Sequence, residues 1–493
     1  MRAVWRVADV RAAEEALMAT LPPGTLMQRA AAGLARRCAL LLAEAGGVYG
    51  AGVLLLVGAG NNGGDALYAG ARLAGRGAAV AAVLLAPERV DADALATLRA
   101  AGGRLVDELP ADVDLVLDGI VGIGAAGGLR EPAATVVARL GGLRGRSGRR
   151  PVVVAVDVPS GVEVDTGDVP RPAEPTNGNA VLPTAVTADV TVTLGSLKPA
   201  LVVGPAAALA GHVDVADIGL GPWLRGTPAL HVPEWDDIAA WWPPLDASSE
   251  KYTRGVVGIS TGSATYPGAA VLSVGGALAG PTGLVRYAGG AAAQVLQRHP
   301  SVIATDRVAH AGRVQAWVCG SGLGGDEFAA AELRSVLAAP VPAILDADAL
   351  TMLVDGSMAG QLRDRDAPIV ITPHDREFAR LAGEPPGGDR VGAALKLAAW
   401  TKATVLLKGD RTVVATPDGR AFANPTGTPA LATGGTGDVL AGLLGSLLAA
   451  GLSPERAAVA AAYLHGLAGR VASRRGPVTA SDVADALSEV VPA

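Results

Sequence analysis

Residues 52–65 read GVLLLVGAGNNGGD, an apolar run that passes directly into a glycine-rich segment. The apolar run predicts a strand buried on both faces of a parallel sheet, and apolar residues at helical spacing follow over 65–75. A glycine-rich turn between a strand and a helix gathers backbone N–H groups at the positive end of the helix, where phosphate can bind. The stretch therefore predicts an α/β domain that holds its ligand at the carboxyl ends of its strands.

The same alternation of strand and helix patterns continues along the chain. A second helix is predicted at 91–101, and a third at 454–472 because Ser453 can cap it and Pro454 suits its first position. Further buried strands are predicted at 80–85, 114–117, 152–156, 190–194, 256–260, 314–318, 343–345, 369–371 and 404–407. The halves share no internal repeat, so we predict two different three-layer α/β/α domains at 1–220 and 246–493, with a linker at 221–245.

Four of the seven tryptophans lie in a Pro-rich stretch around the predicted boundary, at 219–250. They are Trp223, Trp235, Trp241 and Trp242. Tryptophans clustered near a linker indicate packing at a domain interface, and a lid over a substrate is the alternative.

The composition is that of a globular protein with a large core, since 50% of the 493 residues are hydrophobic and 18% are charged. A net charge of −6 argues against nucleic acid or an anionic membrane as a partner. Cys38 and Cys319 have no metal-binding spacing, and residues 1–11 lack a continuous signal-peptide core. We expect a cytoplasmic, homo-oligomeric protein whose partners are small molecules.

Lysine and asparagine are rare in this chain, as in proteins from GC-rich genomes. Five of the 41 basic residues are lysine, and the chain has five asparagines. Those that remain in predicted loops, among them Asn61, Asn62, Lys198 and Lys408, are candidates for function, although chance retention explains any single one equally well.

Three predicted strands of the first half end in polar loops. They lead to Asn61 and Asn62, to Asp118, and to the segment that begins at Asp157 and includes Ser160. Because the carboxyl ends of parallel strands meet at one sheet edge, these side chains should converge there. The alternative for the first loop is a plain turn with Asp65 as a helix N-cap.

These three loops resemble the motifs of the NAD(P)H-hydrate epimerase family over about residues 7–220, with a Rossmann-like fold. By that resemblance Asp157 acts in proton transfer, and Asn62, Asp118 and Ser160 hold a potassium ion. The resemblance implies that the hydrated dinucleotide is bound by Asn61, Asn62, Gly63, Gly64, Asp65, Gly122, Ile123, Gly124, Ala125, Ala126, Gly127, Gly128 and Asp157. The loop at 167–187 is longer and richer in proline than the family pattern, so no role is carried over to it.

The implied ion ligands are all oxygens with one formal negative charge, which disfavours zinc and gives too few carboxylates for a tight divalent site. The alternative is that Asp118 only accepts hydrogen bonds from neighbouring loop amides.

The strongest motif of the chain, ATGGTGD at 432–438, precedes an apolar helix predicted at 439–448. Glycines at a helix start expose N–H groups that can stabilise a phosphoryl group in transfer, and Asp438 is placed to take a proton from an attacking hydroxyl. A glycine-rich helix entry with an acidic first turn is the alternative. Upstream, Lys408 lies between two predicted strands and can meet a nucleotide phosphate.

These motifs resemble the ribokinase-like superfamily. Further segments, near Tyr266, Cys319, Asp346 and Thr372, are similar to the ADP/ATP-dependent NAD(P)H-hydrate dehydratase family over about residues 246–490. The resemblance implies substrate contacts from Ala269, Gly322, His374 and Asp438. It implies nucleotide contacts from Lys408, Gly409, Asp410, Arg411, Thr412 and Gly437.

Some positions of the second half remain open. Ser321 stands where the family pattern has proline, and Asp375-Arg376 stands where it has Pro-Gly. His374 has the alternative of a loop hydrogen bonder, and Asp346 and Asp348 can either face the site or cap strand ends.

The combined prediction is a bifunctional metabolite-repair enzyme. The first domain would interconvert the R and S forms of hydrated NADH or NADPH, and the second would dehydrate the S form at the expense of ADP or ATP with Mg²⁺. One rival is a small-molecule kinase of a vitamin-type alcohol. Another makes the first domain a non-catalytic nucleotide-binding module.

Overall fold

The computed structural model describes residues 1–124, 127–172, 181–354 and 359–492. The chain divides into two compact units, residues 3–229 and residues 230–493 together with Met1 and Arg2. Among the helices of the described ranges, none has the length and hydropathy needed to cross a bilayer. Cys38 and Cys319 are buried free thiols, one in each unit.

The N-terminal unit contains a parallel sheet. The chain opens with β1 (Arg2–Val4), and the strands of the sheet follow: β2 (Gly52–Val57), β3 (Ala79–Leu84), β4 (Arg104–Leu105), β5 (Leu115–Gly119), β6 (Val152–Val156), β7 (Val190–Leu194) and β8 (His212–Ala216). The helices are α1 (Val7–Met18), α2 (Thr25–Glu44), α3 (Asn61–Ala74), α4 (Ala92–Ala100), α5 (Ala133–Arg139) and α6 (Ala206–Leu209).

The strand order across this sheet is β4-β3-β2-β5-β6-β7-β8, and every pair is parallel. The chain first builds outward from β2 through β3 to β4, then returns to place β5 on the other side of β2. This is the doubly wound order, and a ligand crevice opens beyond the carboxyl ends of the two strands where the direction reverses. The site is therefore expected where β2 and β5 end.

Helices cover both faces of this sheet. Along β2, Val53, Leu55 and Val57 belong to the apolar cluster formed with α2, α3 and α4. The alternating residues Leu54 and Leu56 belong to a second cluster that includes α5. Because successive side chains of a strand point to opposite faces, this division confirms the strand buried on both sides that residues 52–57 predict.

Helix α3 begins four residues earlier than predicted, at Asn61 instead of Asp65. Gly60, at φ 85° and ψ −162°, turns the chain so that the helix starts at once. Asn61 and Asn62 thus occupy the first helical turn. The alternative of Asp65 as N-cap is wrong, because Asp65 lies in the second turn.

The C-terminal unit is also built on a largely parallel sheet. Its strands are β9 (Leu230–Val232), β10 (Val256–Ser260), β11 (Leu284–Ala288), β12 (Ile303–Thr305), β13 (Ala316–Cys319), β14 (Ala343–Leu345), β15 (Ile369–Ile371), β16 (Thr404–Leu407), β17 (Val413–Ala415) and β18 (Ala421–Ala423). Its helices are α7 (Trp235–Trp241), α8 (Pro267–Leu278), α9 (Ala292–Arg298), α10 (Glu327–Ala338), α11 (Asp348–Val354), α12 (Ala359–Arg363), α13 (Asp375–Ala382), α14 (Arg390–Thr401), α15 (Thr436–Ala449), α16 (Pro454–Ser473) and α17 (Ala480–Ala486).

The sheet of this unit runs in the order β9-β18-β17-β16-β15-β14-β13-β10-β11-β12. Only the pairs around β17 are antiparallel among these described strands. Val257, Val318 and Ile344 form one core with α8, α15, α16 and α17. Helix α14 contacts β16 and β17. Ser453 caps α16 by accepting from the Arg456 N–H at 3.3 Å, as predicted.

Much of the predicted linker at 221–245 forms regular structure. Leu230–Val232 is strand β9, and α7 begins at Trp235 behind a capping box formed by Glu234 and Asp237. Ile238 is fully buried in the core of the C-terminal unit, which accounts for the stability of this helix. The division between the units falls between Ala229 and Leu230.

Three of the four tryptophans of this stretch pack against an apolar core, and Trp235 is exposed. Trp223 packs against the N-terminal unit's apolar cluster around Trp5 and Leu17. Trp241 and Trp242 pack against the core of the C-terminal unit, and the Arg456 guanidinium lies 5.6 Å from the Trp241 ring centroid.

The end point chosen for an isolated N-terminal unit should affect its stability. We expect a fragment of residues 1–229 to unfold cooperatively, and a fragment of residues 1–220 to melt at a lower temperature, because it loses the packing of Trp223 and Leu224. Each kcal/mol of lost packing should lower Tm by about 2–4 °C. Thermal unfolding followed by circular dichroism measures the difference, and equal melting temperatures would contradict it.

Candidate active sites

The turn between β2 and α3 approaches the loop after β5 so closely that only glycine fits. A Cβ on Gly58 would overlap the carbonyl oxygen of Ile120, and one on Gly63 would overlap that of Gly58. These contacts place the N-terminus of α3 at the predicted switch point of the sheet, with its unpaired N–H groups directed into the crevice.

Asn62 lies against the loop that follows β5. Its Oδ1 would be 2.9 Å from a Cβ built on Gly122, while its buried Nδ2 has no hydrogen-bond partner in the described structure. The two ends of an Asn amide are assigned from hydrogen bonding and not from shape. One amide end of Asn62 is therefore free to bind a ligand.

Asp118 and Ser160 are in direct contact at this edge of the sheet. Asp118 is fully buried and accepts from the Ser160 hydroxyl at 2.6 Å, from the Ser160 N–H at 2.8 Å and from the Ile120 N–H at 3.3 Å. Burial raises the pKa of the Asp118 carboxyl to about 6, against the opposing effect of these hydrogen bonds. No basic side chain of the described chain pairs with it.

Asp157 and Lys198 form a buried ion pair next to this contact, with side chains 8% and 1% exposed. Oδ1 of Asp157 also accepts from the Thr193 hydroxyl at 3.0 Å and from the Leu194 N–H at 2.9 Å. These donors all meet Oδ1, so Oδ2 is the oxygen left for a ligand. Asp157 has φ 68°, an uncommon backbone conformation for an L-residue and one typical of functional sites.

Two further acids lie in the electrostatic field of Asp157. Asp65 is 5% exposed, and its Oδ1 has no hydrogen-bond partner among the described residues. Burial, reinforced by Asp157 and Glu14, raises the pKa of Asp65 well above its ordinary value. The pKa of Glu14, on α1, is also raised, chiefly by burial and then by Asp157.

The loop after β5 carries the remaining predicted dinucleotide contacts. The Gly127 N–H donates to Glu163 at 2.8 Å, and Arg11 donates weakly to the Ile123 carbonyl at 3.4 Å. Gly122, Gly124 and Gly128 lie on the same loop, whereas Ala125 and Ala126 lie outside the described residues. Glu163, which contacts this loop, and Glu14, which lies in the electrostatic field of Asp157, were not predicted, because no local pattern in the sequence marks residues that reach a site only through packing.

In the C-terminal unit, α15 begins at Thr436 directly after Gly435, which has φ 89°. The Thr436 hydroxyl is hydrogen bonded to the carbonyls of Leu431 at 2.9 Å and Thr433 at 3.1 Å. Asp438 is the third residue of the helix, so its carboxylate lies beside the free N–H groups of the first turn. The structure thus forms the helix entry that the GGTGD motif predicts.

Polar side chains beside Asp438 link Lys408 to Ser321. Lys408 Nζ donates to Asp346 Oδ1 at 2.7 Å, and the Ser321 hydroxyl donates to Asp346 Oδ2 at 3.2 Å. Burial, and then the charge of Asp346, raises the pKa of Asp438 to about 6, against the effects of Ser321 and Lys408. Asp346 therefore faces the site.

Lys408 is surrounded by acidic groups. It pairs with Asp346 and lies 3.6 Å from Glu377 Oε2. Burial alone would lower the pKa of Lys408, but the charges of Asp346, Glu377 and Asp438 outweigh it and raise the pKa. Its Nζ would be 3.6 Å from a Cβ on Gly437, so the ammonium lies at the start of α15.

The remaining predicted substrate contacts occupy two neighbouring positions. A Cβ on Gly322, which has φ 63°, would be 2.8 Å from the Ala269 Cβ, so these two residues touch. His374 is the N-cap of α13: its Nδ1 accepts from the Arg376 and Glu377 N–H groups at 3.1 and 3.2 Å. His374 is half exposed, and its Nε2 lies 3.5 Å from Glu377 Oε1.

The segment Gly409, Asp410, Arg411 and Thr412 joins β16 to the antiparallel β17, as predicted. It packs tightly on the loop that starts at Asn424, since a Cβ on Gly427 would overlap the Asp410 carbonyl. Burial lowers the pKa of Arg411, which donates to the Pro425 carbonyl at 3.2 Å. Asn424 donates to the Ala462 carbonyl at 3.0 Å. This contact gives a structural reason for an asparagine at this position in a chain that has few.

Within the described part of the chain, no group of three or more His, Cys, Asp or Glu side chains is arranged to hold a metal ion. Each unit is an α/β domain in which a helix that begins directly after a glycine has its N-terminus beside carboxylates withdrawn from water. Such sites bind phosphorylated small molecules and move protons.

Comparison with known proteins gives the family. Residues 23–200 match the family model described as YjeF-related protein N-terminus, and residues 257–492 match the model described as NAD(P)H-hydrate dehydratase. The chain belongs to the family of bifunctional NAD(P)H-hydrate repair enzymes. The predicted fold class, with a Rossmann-like N-terminal unit and a ribokinase-like C-terminal unit, is confirmed.

Two relatives match nearly the whole chain, and both carry the name bifunctional NAD(P)H-hydrate repair enzyme Nnr. The protein of Mycobacterium tuberculosis is 50% identical over 93% of this chain and 91% of its own length. That of Mycobacterium leprae is 48% identical over 100% of this chain and 98% of its own. A crystal structure of the Bacillus subtilis ADP/ATP-dependent NAD(P)H-hydrate dehydratase with ATP/Mg²⁺ is 31% identical, covers 52% of this chain and 97% of its own, and has a TM-score of 0.47.

The buried acid Asp65 should cost the fold stability at neutral pH. Its pKa in the folded state is raised, so its stabilising contribution is full below the unfolded value of 3.8 and is lost as pH rises through the folded pKa. Asp65→Asn should therefore increase the free energy of unfolding at pH 8, with the gain shrinking toward pH 4. Denaturant unfolding at both pH values measures this change. The exposed Asp93→Asn is the control, and a destabilised Asp65→Asn at pH 8 would contradict the expectation.

Proposed function

We propose that the N-terminal unit epimerises the R and S forms of hydrated NADH or NADPH, and that the C-terminal unit dehydrates the S form with ADP or ATP. The observation that carries the proposal is the position of Asp438 in the first turn of α15, where Lys408 Nζ, hydrogen bonded to Asp346, would lie 3.6 Å from a Cβ on the neighbouring Gly437. This arrangement offers a proton acceptor and a fixed positive charge beside a helix N-terminus, the requirements of a phosphoryl-transfer site.

Epimerisation needs a proton donor and a proton acceptor at the hydrated carbon, because the hydroxyl must leave one face of the ring and return to the other. Asp157, held by Lys198, offers Oδ2 to the reacting group. Asp65, whose pKa burial raises, can remain neutral and donate a proton. Enzymes often use two carboxyl groups in this way, because different surroundings let one act as the acid and the other as the base.

The dinucleotide would lie across the switch point of the N-terminal sheet. Its phosphates would meet the N–H groups of Asn61, Asn62, Gly63 and Gly64 at the start of α3, and its other end would extend along the 122–128 loop. Glycines line this path where a side chain would collide with its neighbours: a Cβ on Gly119, for example, would be 2.6 Å from the Ala66 Cβ and 3.0 Å from the Asn62 carbonyl oxygen. In this arrangement backbone N–H groups would bind the phosphates, and the glycines would let the dinucleotide lie close to the backbone.

A potassium ion fits the residues at the carboxyl end of β5. Asp118 is a buried carboxylate with no basic partner in the described chain, Ser160 adds a hydroxyl, and Asn62 adds a carboxamide oxygen that lies against Gly122. A buried carboxylate in this position is stabilised by a cation. Asn62, Asp118 and Ser160 would hold the ion, which would supply positive charge between the α3 turn and the 157–160 loop.

In the C-terminal unit, Ala269, Gly322 and His374 would contact the hydrated nicotinamide, and Asp438 would accept the proton of its hydroxyl. Lys408, Gly409, Asp410, Arg411, Thr412 and Gly437 would bind the adenine nucleotide. Mg²⁺ would enter with the nucleotide, bound mainly by phosphate oxygens and water. Water is a poor leaving group and phosphate is a good one. Once the hydroxyl is phosphorylated, its oxygen can leave as part of phosphate, while the adjacent ring carbon loses a proton and the double bond forms.

The surroundings of Asp438 suit this role. A pKa of about 6 keeps the carboxyl largely ionised at neutral pH, while making it a stronger base than an ordinary aspartate. Lys408, close to Gly437, would stabilise negative charge on the transferring phosphoryl group.

The direct test is to mix acid-hydrated NADH with the whole protein, ADP and Mg²⁺ and to follow the return of NADH absorbance. We expect complete recovery, because the first unit feeds the R form to the second. Recovery of about half of the NADH would mean that only the S form is dehydrated, and it would indicate that the first unit is a non-catalytic binding module. Phosphorylation of a vitamin-type alcohol, without any recovery of NADH, would favour the kinase alternative.

Asp438→Asn should bind adenine nucleotide nearly as tightly as the unchanged protein and lose about a hundredfold or more of dehydratase turnover, the usual effect of removing a positioned base. The control is Asp482→Asn, which alters the third residue of α17 in the same unit. Single-turnover dehydration and nucleotide titration are the measurements. Near-normal turnover in Asp438→Asn would reject its role as the base.

Asp118→Ala should lower epimerisation about tenfold or more and leave dehydration of the S form unchanged, since it removes the proposed ion's only carboxylate. Replacing potassium by a bulky organic cation at equal ionic strength should lower epimerisation of the unchanged protein as well. Asp114→Asn is the control, because Asp114 immediately precedes β5 at its opposite end and pairs with Arg146. Epimerisation that is unaffected in both tests would reject the ion site.

A further inference from the structure

The segment at 346–348, Asp-Ala-Asp, follows β14 and contains an uncommon backbone conformation. Ala347 has φ 49°, in the left-handed region that an alanine rarely adopts. Hydrogen bonds hold the segment on both sides of it. The Asp346 N–H donates to the Cys319 carbonyl at 3.1 Å, and the Ala349 N–H donates to the Asp346 carbonyl at 3.1 Å. A conformation of this kind persists where the surrounding structure fixes it, and such positions cluster at functional sites.

The two carboxylates of this segment have different partners. Asp346 accepts from Lys408 Nζ at 2.7 Å and from the Ser321 hydroxyl at 3.2 Å. Asp348 instead accepts from the Gly324 N–H through Oδ2, at 2.9 Å. Asp348 thus joins the start of α11 to the loop that follows β13, across 24 residues of the chain.

The loop after β13 is held differently at its two ends. Gly322 is fixed by packing, since a Cβ built on it would lie 2.8 Å from the Ala269 Cβ and 3.1 Å from the Tyr266 Cβ. A Cβ on Gly324 would meet no atom within 4 Å, so packing does not fix that residue. Both glycines have positive φ, 63° and 91°, and glycine backbone has many alternative conformations. The hydrogen bond to Asp348 is the contact that holds Gly324 in the described structure.

We propose that Asp348 is a positioning residue for the dehydratase reaction: its carboxylate holds Gly324 and thereby fixes the 322–324 loop against the hydrated nicotinamide. The inference rests on the proposed function, in which Gly322 contacts the substrate. It gives Asp348 a role separate from the proton transfer assigned to Asp438 and from the phosphate contact of Lys408. A carboxylate suits this role because a hydrogen bond from an N–H group to a charged acceptor is stronger than one between neutral groups.

The position and the charge of the Asp348 carboxylate can be separated by experiment. Its charge also disfavours the ionised form of Asp438, whose pKa is raised to about 6 chiefly by burial. Every variant without that charge loses this effect, whether or not it keeps a hydrogen-bond acceptor. Asp438 is ionised at pH 8 with or without the charge at 348, so kinetics at pH 8 report on the loop.

The experiment measures dehydration of the purified S hydrate by the whole protein with ADP and Mg²⁺ at pH 8. Asp348→Ala should raise the KM for the hydrate about tenfold or more, the scale of losing one hydrogen bond to a charged group, because the loop loses the contact that holds Gly324. The kcat should stay within about twofold, as expected when binding is lost and chemistry is kept. The KM for ADP should not change, because Lys408 keeps its place.

Two conservative variants distinguish position from charge. Asp348→Asn keeps an oxygen acceptor at the same distance from the backbone, so its KM for the hydrate should lie within about threefold of that of the unchanged protein. Asp348→Glu keeps the charge but moves the carboxylate by one methylene group, so it should raise this KM nearly as much as alanine does. A purely structural role for Asp348 would not produce this order of KM at a constant kcat.

Asp482→Ala is the matched control. Asp482, in α17 of the same unit, accepts from the Thr479 N–H through Oδ2 at the same distance of 2.9 Å. Its replacement should lower Tm and leave both KM values unchanged. Thermal unfolding of every variant checks the fold, and if Asp348→Ala does not fold, the comparison of Asp348→Asn with Asp348→Glu decides.

An unchanged KM for the hydrate in Asp348→Ala and Asp348→Glu would overturn the inference. A loss of kcat at unchanged KM would do so as well, and so would an Asp348→Asn protein as impaired as Asp348→Ala. A rise in the KM for ADP instead of that for the hydrate would mean that the loop meets the nucleotide, and it would also reject the role. Failure of the proposed function is a different result, because the unchanged protein would then return no NADH from the S hydrate.

Discussion

The close approach of loops at the carboxyl edge of each sheet is the constraint on which both sites depend. In the N-terminal unit Gly58 lies against the Ile120 carbonyl, and in the C-terminal unit Gly320 lies against the Asp346 carbonyl. Neither position has room for a Cβ. Because the loops touch, carboxylates that follow different strands are brought together and removed from water, and the N-terminus of a helix points at each group.

The carboxylates of both units are withdrawn from water by the same packing of loops, but the groups that stabilise their negative charge differ. Asp157 and Asp346 each pair with a lysine, whereas Asp118 accepts from a hydroxyl and two amide groups. Burial raises the pKa of Asp118 and of Asp438 to about 6. The unpaired acids are those to which a cation or a proton can be added, and these are the roles that the proposed chemistry requires.

Glycine and strand patterns allowed much of the architecture to be predicted. Strands β2, β6, β7, β10, β14, β15 and β16 have their predicted bounds, because continuous apolar runs flanked by turn residues are typical of strands buried on both faces. The predicted start of α3 was wrong, since Gly60 permits the helix to begin directly behind the turn. The three-residue strands β9 and β18 were not predicted, because so short a run gives little pattern; β18 pairs with β9 and β17, and its Phe422 belongs to the core of the unit.

The sequence by itself determined the two α/β units, the glycine-opened helix starts and the identity of the principal acids, since each of these depends on residues that are neighbours in the chain. Only the tertiary structure decided which groups meet. Lys198 reaches Asp157 across 41 residues, Lys408 reaches Asp346 across 62, and Ser321 reaches Asp346 across 25. These contacts depend on strand order and on the packing of loops at a sheet edge, which no local pattern of residues encodes.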